Sequence, residues 1–165
     1  MHGFAYDPVH DEIVVNSPLA QAILVFRGGA TGEESPVRII QGPHTQILGL
    51  GYGALETVSV DPANNEIFLP IAPGGVLVFD REANGDVAPK RVLSGPDTGI
   101  RGINHLAIDP VHNALIVKGG GGLLIFDRTA SGNAKPRAII KGAKTGAIGR
   151  GQFQVYPAKG WIIAP

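Results

Sequence analysis

The sequence predicts an all-β protein made of β-propeller blades, and three observations indicate this fold. The segment FAYDPVHDEIVV near the start of the chain recurs three more times in related form. A second motif, which begins ILVF in its first copy, recurs independently with its phenylalanines 53 and 47 residues apart. The 24 glycines and 13 prolines are abundant enough to supply frequent turns between short strands. A four-stranded unit repeated at this spacing fits a propeller blade better than a leucine-rich or helical repeat.

Each repeat is expected to form four antiparallel strands. In the third repeat the predicted strands are His105–Ile108, Ala114–Lys118, Leu123–Asp127 and Pro136–Lys141. An Asp-Pro pair turns the first strand into the second, because proline presets φ and the aspartate side chain can bond the backbone two residues on. No segment of ten or more residues combines helical periodicity with caps, which disfavours an α/β fold.

The repeats divide one predicted domain, residues 1–165, into four units. These units span 3–42, 57–95, 105–142 and 153–165. Three units hold four strands and the last holds two, so the strand count does not close a ring. Apolar blade faces would then contact water at both ends of an open arc. Either the chain belongs to a longer propeller, or copies of it assemble to complete one.

The charge balance and the hydropathy of the chain disfavour several classes of function. Fourteen Lys and Arg residues balance fourteen Asp and Glu residues, so no net charge attracts nucleic acid or an anionic membrane. No apolar run approaches the length of a membrane-spanning helix, and the first residues show no export signal. The absence of cysteine removes disulfides and thiolate chemistry but fits either redox compartment. We therefore predict no nucleic-acid partner and no membrane span.

The repeated motifs also carry a family resemblance. Where the chain follows the pattern DPxxxEIxV and then IxVFDRxAxGxxxPxRxIxGxxTGI, it resembles the NHL-like six-bladed β-propellers. More closely, it resembles uncharacterised bacterial extracytoplasmic proteins built from such repeats. The resemblance covers essentially the whole chain, and its motifs specify the blade rather than an activity. It implies an extracytoplasmic location, for which the chain itself shows no signal peptide.

The resemblance further implies a candidate site at the mouth of a central channel. In NHL-like propellers the first strand of each blade lines that channel, and loops at its ends bind ligands. The polar residues of this chain at the matching positions are Glu56, Thr57, Asn104, His105 and Gln152. Glu56 and His105 could hold a divalent cation such as Ca²⁺ or Zn²⁺, and no other cofactor is predicted. The alternative is that such a channel carries polar side chains only because they contact water.

Most other repeated residues have structural explanations. The aspartates of the Asp-Pro turns, Asp7, Asp61 and Asp109, are expected to stabilise those turns rather than to form a ring of carboxylates. The repeated phenylalanines are expected to pack between blades, and the arginines after them to pair with nearby acids. The chain has no GxSxG elbow and no GxxxxGK[ST] spacing, so neither a nucleophile nor a phosphate loop is evident.

These observations favour a non-catalytic propeller module that acts as an interaction scaffold. Its partner would be another protein, a ligand, or the remaining blades supplied by a longer chain or a second copy. One alternative is a metal-assisted hydrolase or lyase, since some NHL-like propellers have these activities. Another is a self-assembling subunit, because an unpaired sheet edge can pair with a second chain.

Overall fold

A computed structural model describes residues 3–48, 57–103, 105–145 and 152–164. It contains four antiparallel sheets, numbered here in chain order. Sheet 1 comprises β1 (Phe4–Asp7), β2 (Glu12–Ser17), β3 (Ala22–Arg27) and β4 (Arg38–Gln41). Sheet 2 comprises β5 (Ser59–Asp61), β6 (Glu66–Ile71), β7 (Gly75–Asp80) and β8 (Arg91–Ser94).

The remaining sheets complete the same pattern. Sheet 3 comprises β9 (His105–Asp109), β10 (Ala114–Gly119), β11 (Gly122–Asp127) and β12 (Ala138–Ile140). Sheet 4 holds only β13 (Gln154–Tyr156) and β14 (Trp161–Ile163). Short 3₁₀ turns occupy Pro43–Thr45, Pro96–Thr98, Ala143–Thr145 and Pro157–Lys159. Within the described ranges, no helix has the length and apolar character needed to cross a bilayer.

The predicted all-β class, with sheets of four, four, four and two strands, is confirmed. In the third repeat the first three strands begin and end within one residue of the predicted bounds. The fourth is shorter than predicted, because it begins at Ala138 rather than at Pro136. Proline has no N–H to donate to the ladder, so this end of the strand lacks a regular pairing position.

The aspartates of the Asp-Pro turns stabilise the β1–β2 and β9–β10 turns as the sequence predicts. The Asp7 carboxylate accepts hydrogen bonds from the backbone N–H groups of Val9 at 2.9 Å and His10 at 3.1 Å. Asp109 accepts from the N–H of His112 at 3.0 Å and also contacts its imidazole at 2.8 Å. The carboxylates therefore satisfy the backbone of the turn.

Adjacent sheets pack face to face through three separate apolar clusters. Each sheet has a front side, which faces the preceding sheet, and a back side, which faces the following one. The first cluster joins the back of sheet 1 to the front of sheet 2, where Ile67 and Phe79 are fully buried. The second repeats this arrangement between sheets 2 and 3 with Leu115 and Phe126. The third places Phe153 of sheet 4 against the back of sheet 3.

The sheets are also joined by backbone hydrogen bonds at their outer strands. The N–H of Gly85, in the loop after β7, donates to the carbonyl of Ile39 on β4 at 2.6 Å. The N–H of Gly132, in the loop after β11, donates to Val92 on β8 at 2.7 Å. Glycine suits both loop positions because φ is positive, at 77° and 61°. At the opposite side of each sheet, the first strands β1, β5, β9 and β13 lie next to one another in sequence order.

Buried ion pairs connect consecutive sheets at the ends of the second strands. Arg81, which follows β7, donates to Glu12 of sheet 1 at 3.0 Å. Arg128, which follows β11, contacts Glu66 of sheet 2 at 2.5 Å, and Arg91 holds the same carboxylate in a bidentate pair at 2.7 and 2.8 Å. Burial raises the pKa of Glu66, but the arginine hydrogen bonds and charges outweigh it and hold the pKa below its ordinary value.

Candidate functional site

A cavity of about 500 Å³ opens where the first strands of all four sheets begin. Residues at equivalent positions of the four sheets line it, so neighbouring first strands bring distant parts of the sequence together. Its polar lining side chains are Thr57, Ser59, His105, Gln152 and Gln154. The volume lies within the range of pockets that hold small molecules.

Three of the five predicted site residues line this cavity: Thr57, His105 and Gln152. The other two, Glu56 and Asn104, lie outside the described residues. In the described ranges no three His, Asp or Glu side chains are grouped as metal ligands. A cation held by Glu56 and His105 therefore stays a prediction, as does ligand binding by the whole set.

His105 lies at the centre of the site with a defined hydrogen-bonding state. Its Nε2 atom is 3.0 Å from the carbonyl oxygen of Phe153, which can only accept a hydrogen bond. Nε2 therefore carries the proton, and in the neutral imidazole Nδ1 is an acceptor. The Thr57 hydroxyl is 3.3 Å from Nδ1 and donates to it. The Phe153 carbonyl thus sets the tautomer of His105, in which the basic Nδ1 faces the Thr57 hydroxyl.

The surroundings of His105 keep its imidazole neutral. Burial lowers the pKa of His105 below its ordinary value of 6.5, and the positive charge of Lys118 acts in the same direction. The hydrogen bond to Phe153 opposes this shift but does not cancel it. The Phe153 ring meets the imidazole edge to face at 4.9 Å, which restricts the orientation of the base.

The hydrogen bonds around His105 continue across all four sheets. Asn16, buried on β2 of sheet 1, donates from its side-chain amide to the carbonyl of Thr57 at 3.4 Å. Ser59 donates to the carbonyl of Leu106 at 3.1 Å, and this hydrogen bond joins the first strand of sheet 2 to the first strand of sheet 3. Asn16, Ser59 and the Phe153 carbonyl are not among the residues predicted from the sequence. Asn16 could have been found as a polar residue at a strand position otherwise expected to be apolar, whereas a backbone carbonyl carries no sequence signal.

We predict that His105 has a pKa below 6.5 and is protonated on Nε2 at neutral pH, because burial and Lys118 disfavour the cation. Long-range ¹H–¹⁵N NMR spectra recorded through a pH titration measure both properties. A His105 pKa above 6.5, or a proton on Nδ1, would contradict this description of the site.

Comparison with known proteins gives a structural match only. No protein-family model and no curated protein matches the chain. Its fold is similar to that of a solved structure described as a putative 6-phosphogluconolactonase from Bacteroides uniformis ATCC 8492. The TM-score is 0.64 at 16% sequence identity, with 99% of this chain covered. The chain spans 46% of the length of that protein. At this identity the match shows a shared fold.

The resemblance to NHL-like six-bladed propellers is wrong. The matching structure is that of a protein described as a lactonase, no family model supports an NHL assignment, and the described residues form four separate sheets without a closed one. The quoted motif consists of turn aspartates, packing phenylalanines and loop glycines. In this chain those residues serve turns, packing and loops, so they do not specify one family. The extracytoplasmic location depended on this resemblance alone and loses its support.

The prediction of a non-catalytic interaction scaffold is also wrong. It was inferred because packing and turns explain the repeated residues, yet the similar fold belongs to a protein described as an enzyme. The prediction rested on the residues that repeat, and Thr57 and His105 are not among them. Thr57 and His105 occupy the entry to a first strand in different repeats, and their hydrogen bond becomes evident only when the strands are neighbours.

Proposed function

We propose that this chain carries a hydrolase site for a cyclic ester, with His105 as general base and Thr57 as the attacking hydroxyl. The observation that carries the proposal is the hydrogen-bonded series from Thr57 through His105 to the Phe153 carbonyl, at 3.3 and 3.0 Å, on the wall of a cavity. A nucleophile bonded to a base, which a third group orients, is the arrangement that covalent acyl transfer requires.

The reaction would proceed in two balanced steps. The Thr57 oxygen forms a bond to the ester carbonyl carbon as its proton passes to Nδ1 of His105. The ring C–O bond then breaks, and the proton on Nδ1 is delivered to the departing ring oxygen. Water attacks the resulting acyl-threonine with His105 again as base, which releases a hydroxy acid and restores the hydroxyl. The amides of Gln152 and Gln154 would bond the hydroxyl groups of the substrate.

We further infer that the four sheets are successive blades of a β-propeller. The adjacency of the first strands, the repeated face-to-face clusters and the glycine hydrogen bonds at the outer strands all support an arrangement around one axis. In such an arrangement the cavity lies at the axis, and residues at the start of each first strand line it. The description of the similar structure as a lactonase supports the choice of a cyclic ester.

A hydrolysis screen tests the function directly. We expect the purified protein to open sugar-derived lactones faster than the uncatalysed reaction, with release of acid measured by pH-stat titration. Phosphorylated and unphosphorylated lactones of the same ring size are compared as substrates, and an acyclic ester is the control. Activity that is removed by dialysis against a chelator and restored by Zn²⁺ or Ca²⁺ would contradict the metal-free mechanism. No turnover of any lactone would overturn the proposed function.

A further inference from the structure

A buried lysine lies on the strand beside His105, and the mechanism described above does not use it. Lys118 is the fifth residue of β10 and is directly opposite His105 in the antiparallel β9–β10 ladder. It is only 3% exposed. Lysine is rarely buried to this degree, because the removal of an ammonium group from water is unfavourable. The fold therefore holds a positive charge next to the base of the candidate site.

The side chains of Lys118 and His105 are on the same side of sheet 3. Opposite residues of an antiparallel ladder share a face, with Cβ atoms about 4.5–5.5 Å apart, and alternate residues of a strand share it as well. Ala107 and Ile116, two residues further along each strand, pack against Phe153 of sheet 4. Lys118 thus belongs to the back of sheet 3, the side on which the Phe153 carbonyl accepts the hydrogen bond from Nε2 of His105.

The equivalent residue of sheet 1 shows that this place reaches the start of a neighbouring first strand. Asn16, the fifth residue of β2, is also 3% exposed. Its amide donates to the carbonyl of Thr57 in the following sheet at 3.4 Å. Sheet 2 has Pro70 in this place, whose side chain has no polar group. Sheets 1 and 3 therefore each place a polar side chain beside the site, and the one in sheet 3 carries a charge.

The other described groups that face His105 are uncharged. The Thr57 hydroxyl faces it from sheet 2, and the carbonyl and ring of Phe153 face it from sheet 4. Burial is the main cause that lowers the pKa of His105, the Phe153 hydrogen bond opposes it, and the charge of Lys118 lowers the pKa further. Within the described ranges, Lys118 is therefore the side chain whose replacement changes the charge around the base.

We propose that Lys118 is a positioning residue that sets the acid limit of the hydrolase site. It acts through His105, because a positive charge beside the imidazole disfavours the imidazolium and keeps more of the base neutral as the pH falls. The same charge makes the base weaker, so it favours activity at mildly acidic pH over the highest rate at neutral pH. Hydroxide opens lactones without an enzyme, so a catalyst contributes most on the acid side of neutrality. The inference rests on the proposed hydrolase function and adds the pH range in which it operates.

Two uncharged variants of the full chain test this role. Lys118→Asn places in sheet 3 the residue that sheet 1 has, and Lys118→Met keeps a long side chain without the charge. In both variants the acid-side fall of kcat/KM is expected to move to higher pH, and the NMR titration of His105 is expected to move in the same direction. Lys118→Arg keeps the charge and should retain the wild-type profile. Lys159→Asn removes an exposed lysine from the β13–β14 turn and is the matched control.

Glu56 is the ionisable group that the design must separate from Lys118. It precedes Thr57 in sequence and lies outside the described residues, so each profile is also recorded in a Glu56→Gln background. The shift caused by Lys118→Asn is expected in both backgrounds. Its loss in Glu56→Gln would assign the effect to the glutamate and contradict the proposal.

The remaining outcomes also decide the role of Lys118. Unchanged profiles in both uncharged variants would overturn it, and a shift in only one of them would indicate altered packing instead of charge. Failure of both to fold would assign Lys118 to stability and equally overturn the proposal. The NMR titration needs no turnover, which keeps the two hypotheses distinguishable. A shifted His105 titration without activity would reject the hydrolase function and leave the Lys118–His105 coupling in place, whereas activity with an unshifted titration would reject the role of Lys118.

Discussion

His105→Gln is expected to reduce lactone hydrolysis by roughly 10²- to 10⁴-fold, the contribution of a positioned general base. Glutamine can still donate a hydrogen bond to the Phe153 carbonyl, so the variant removes basicity while it keeps the polar contact. The loss should appear in kcat rather than in KM, because the base acts on the reacting atoms. Steady-state kinetics on the lactone with the highest activity in the screen measure both constants.

Three comparisons make this prediction specific to His105. His44→Gln changes an exposed histidine and should leave kcat within about twofold, as surface substitutions usually do. Thr57→Val should lose as much activity as His105→Gln, because residues that act as a unit are not additive. For wild type, activity should fall on the acid side with an apparent pKa below 6.5, since the neutral imidazole is the active form. Full activity of His105→Gln would remove the base assignment.

The strands of this protein could be predicted from sequence because each is specified locally. An Asp-Pro turn, an alternating apolar strand and a glycine turn act within a few residues, and they recur in every repeat. The candidate site could be predicted only as a set of polar residues at the start of the first strand in each repeat. The Thr57–His105 contact joins residues 48 apart, and the carbonyl of Phe153 sets the tautomer without any side-chain signal.

The burial of equivalent residues could not be predicted from the repeat either. Phe26 and Phe79 stand in nearly identical sequence, yet one is half-buried and the other is fully buried. The difference arises from the neighbouring sheet and not from the residue or its strand. For the same reason, the sequence predicts that the repeated arginines pair with acids, but not that Arg81 and Arg128 reach the preceding sheet.

Glu66→Gln is expected to cause the largest loss of stability among single polar substitutions in the described residues. The change leaves the charges of Arg91 and Arg128 without the carboxylate that binds both. Removal of one partner from a buried pair costs 3–5 kcal/mol, and we expect about 2–3 kcal/mol because both arginines keep some contact with water. Urea unfolding should show a lower midpoint with an unchanged slope.

Glu34→Gln is the matched control, since Glu34 forms the same kind of pair with Arg27 at an exposed position. Solvent screens that pair, so its loss should be far smaller than the loss in Glu66→Gln. An equal effect of the two variants would contradict a structural role for the buried pair. Sheet 3 offers an internal comparison, because Ala114 stands there in place of the glutamate and Ala138 in place of Arg91.

The acid dependence of stability should follow from the same carboxylate. The pKa of Glu66 is lowered in the folded state, so the folded protein binds fewer protons than the unfolded chain. Stability from this group is complete above the ordinary pKa of 4.5 and is lost as the pH falls through the folded value. Glu66→Gln cannot titrate, and its unfolding free energy should therefore decline less between pH 5 and 3 than that of wild type. Parallel declines in wild type and Glu66→Gln would assign the acid sensitivity to other carboxylates, with Glu12 between Arg38 and Arg81 the first to test.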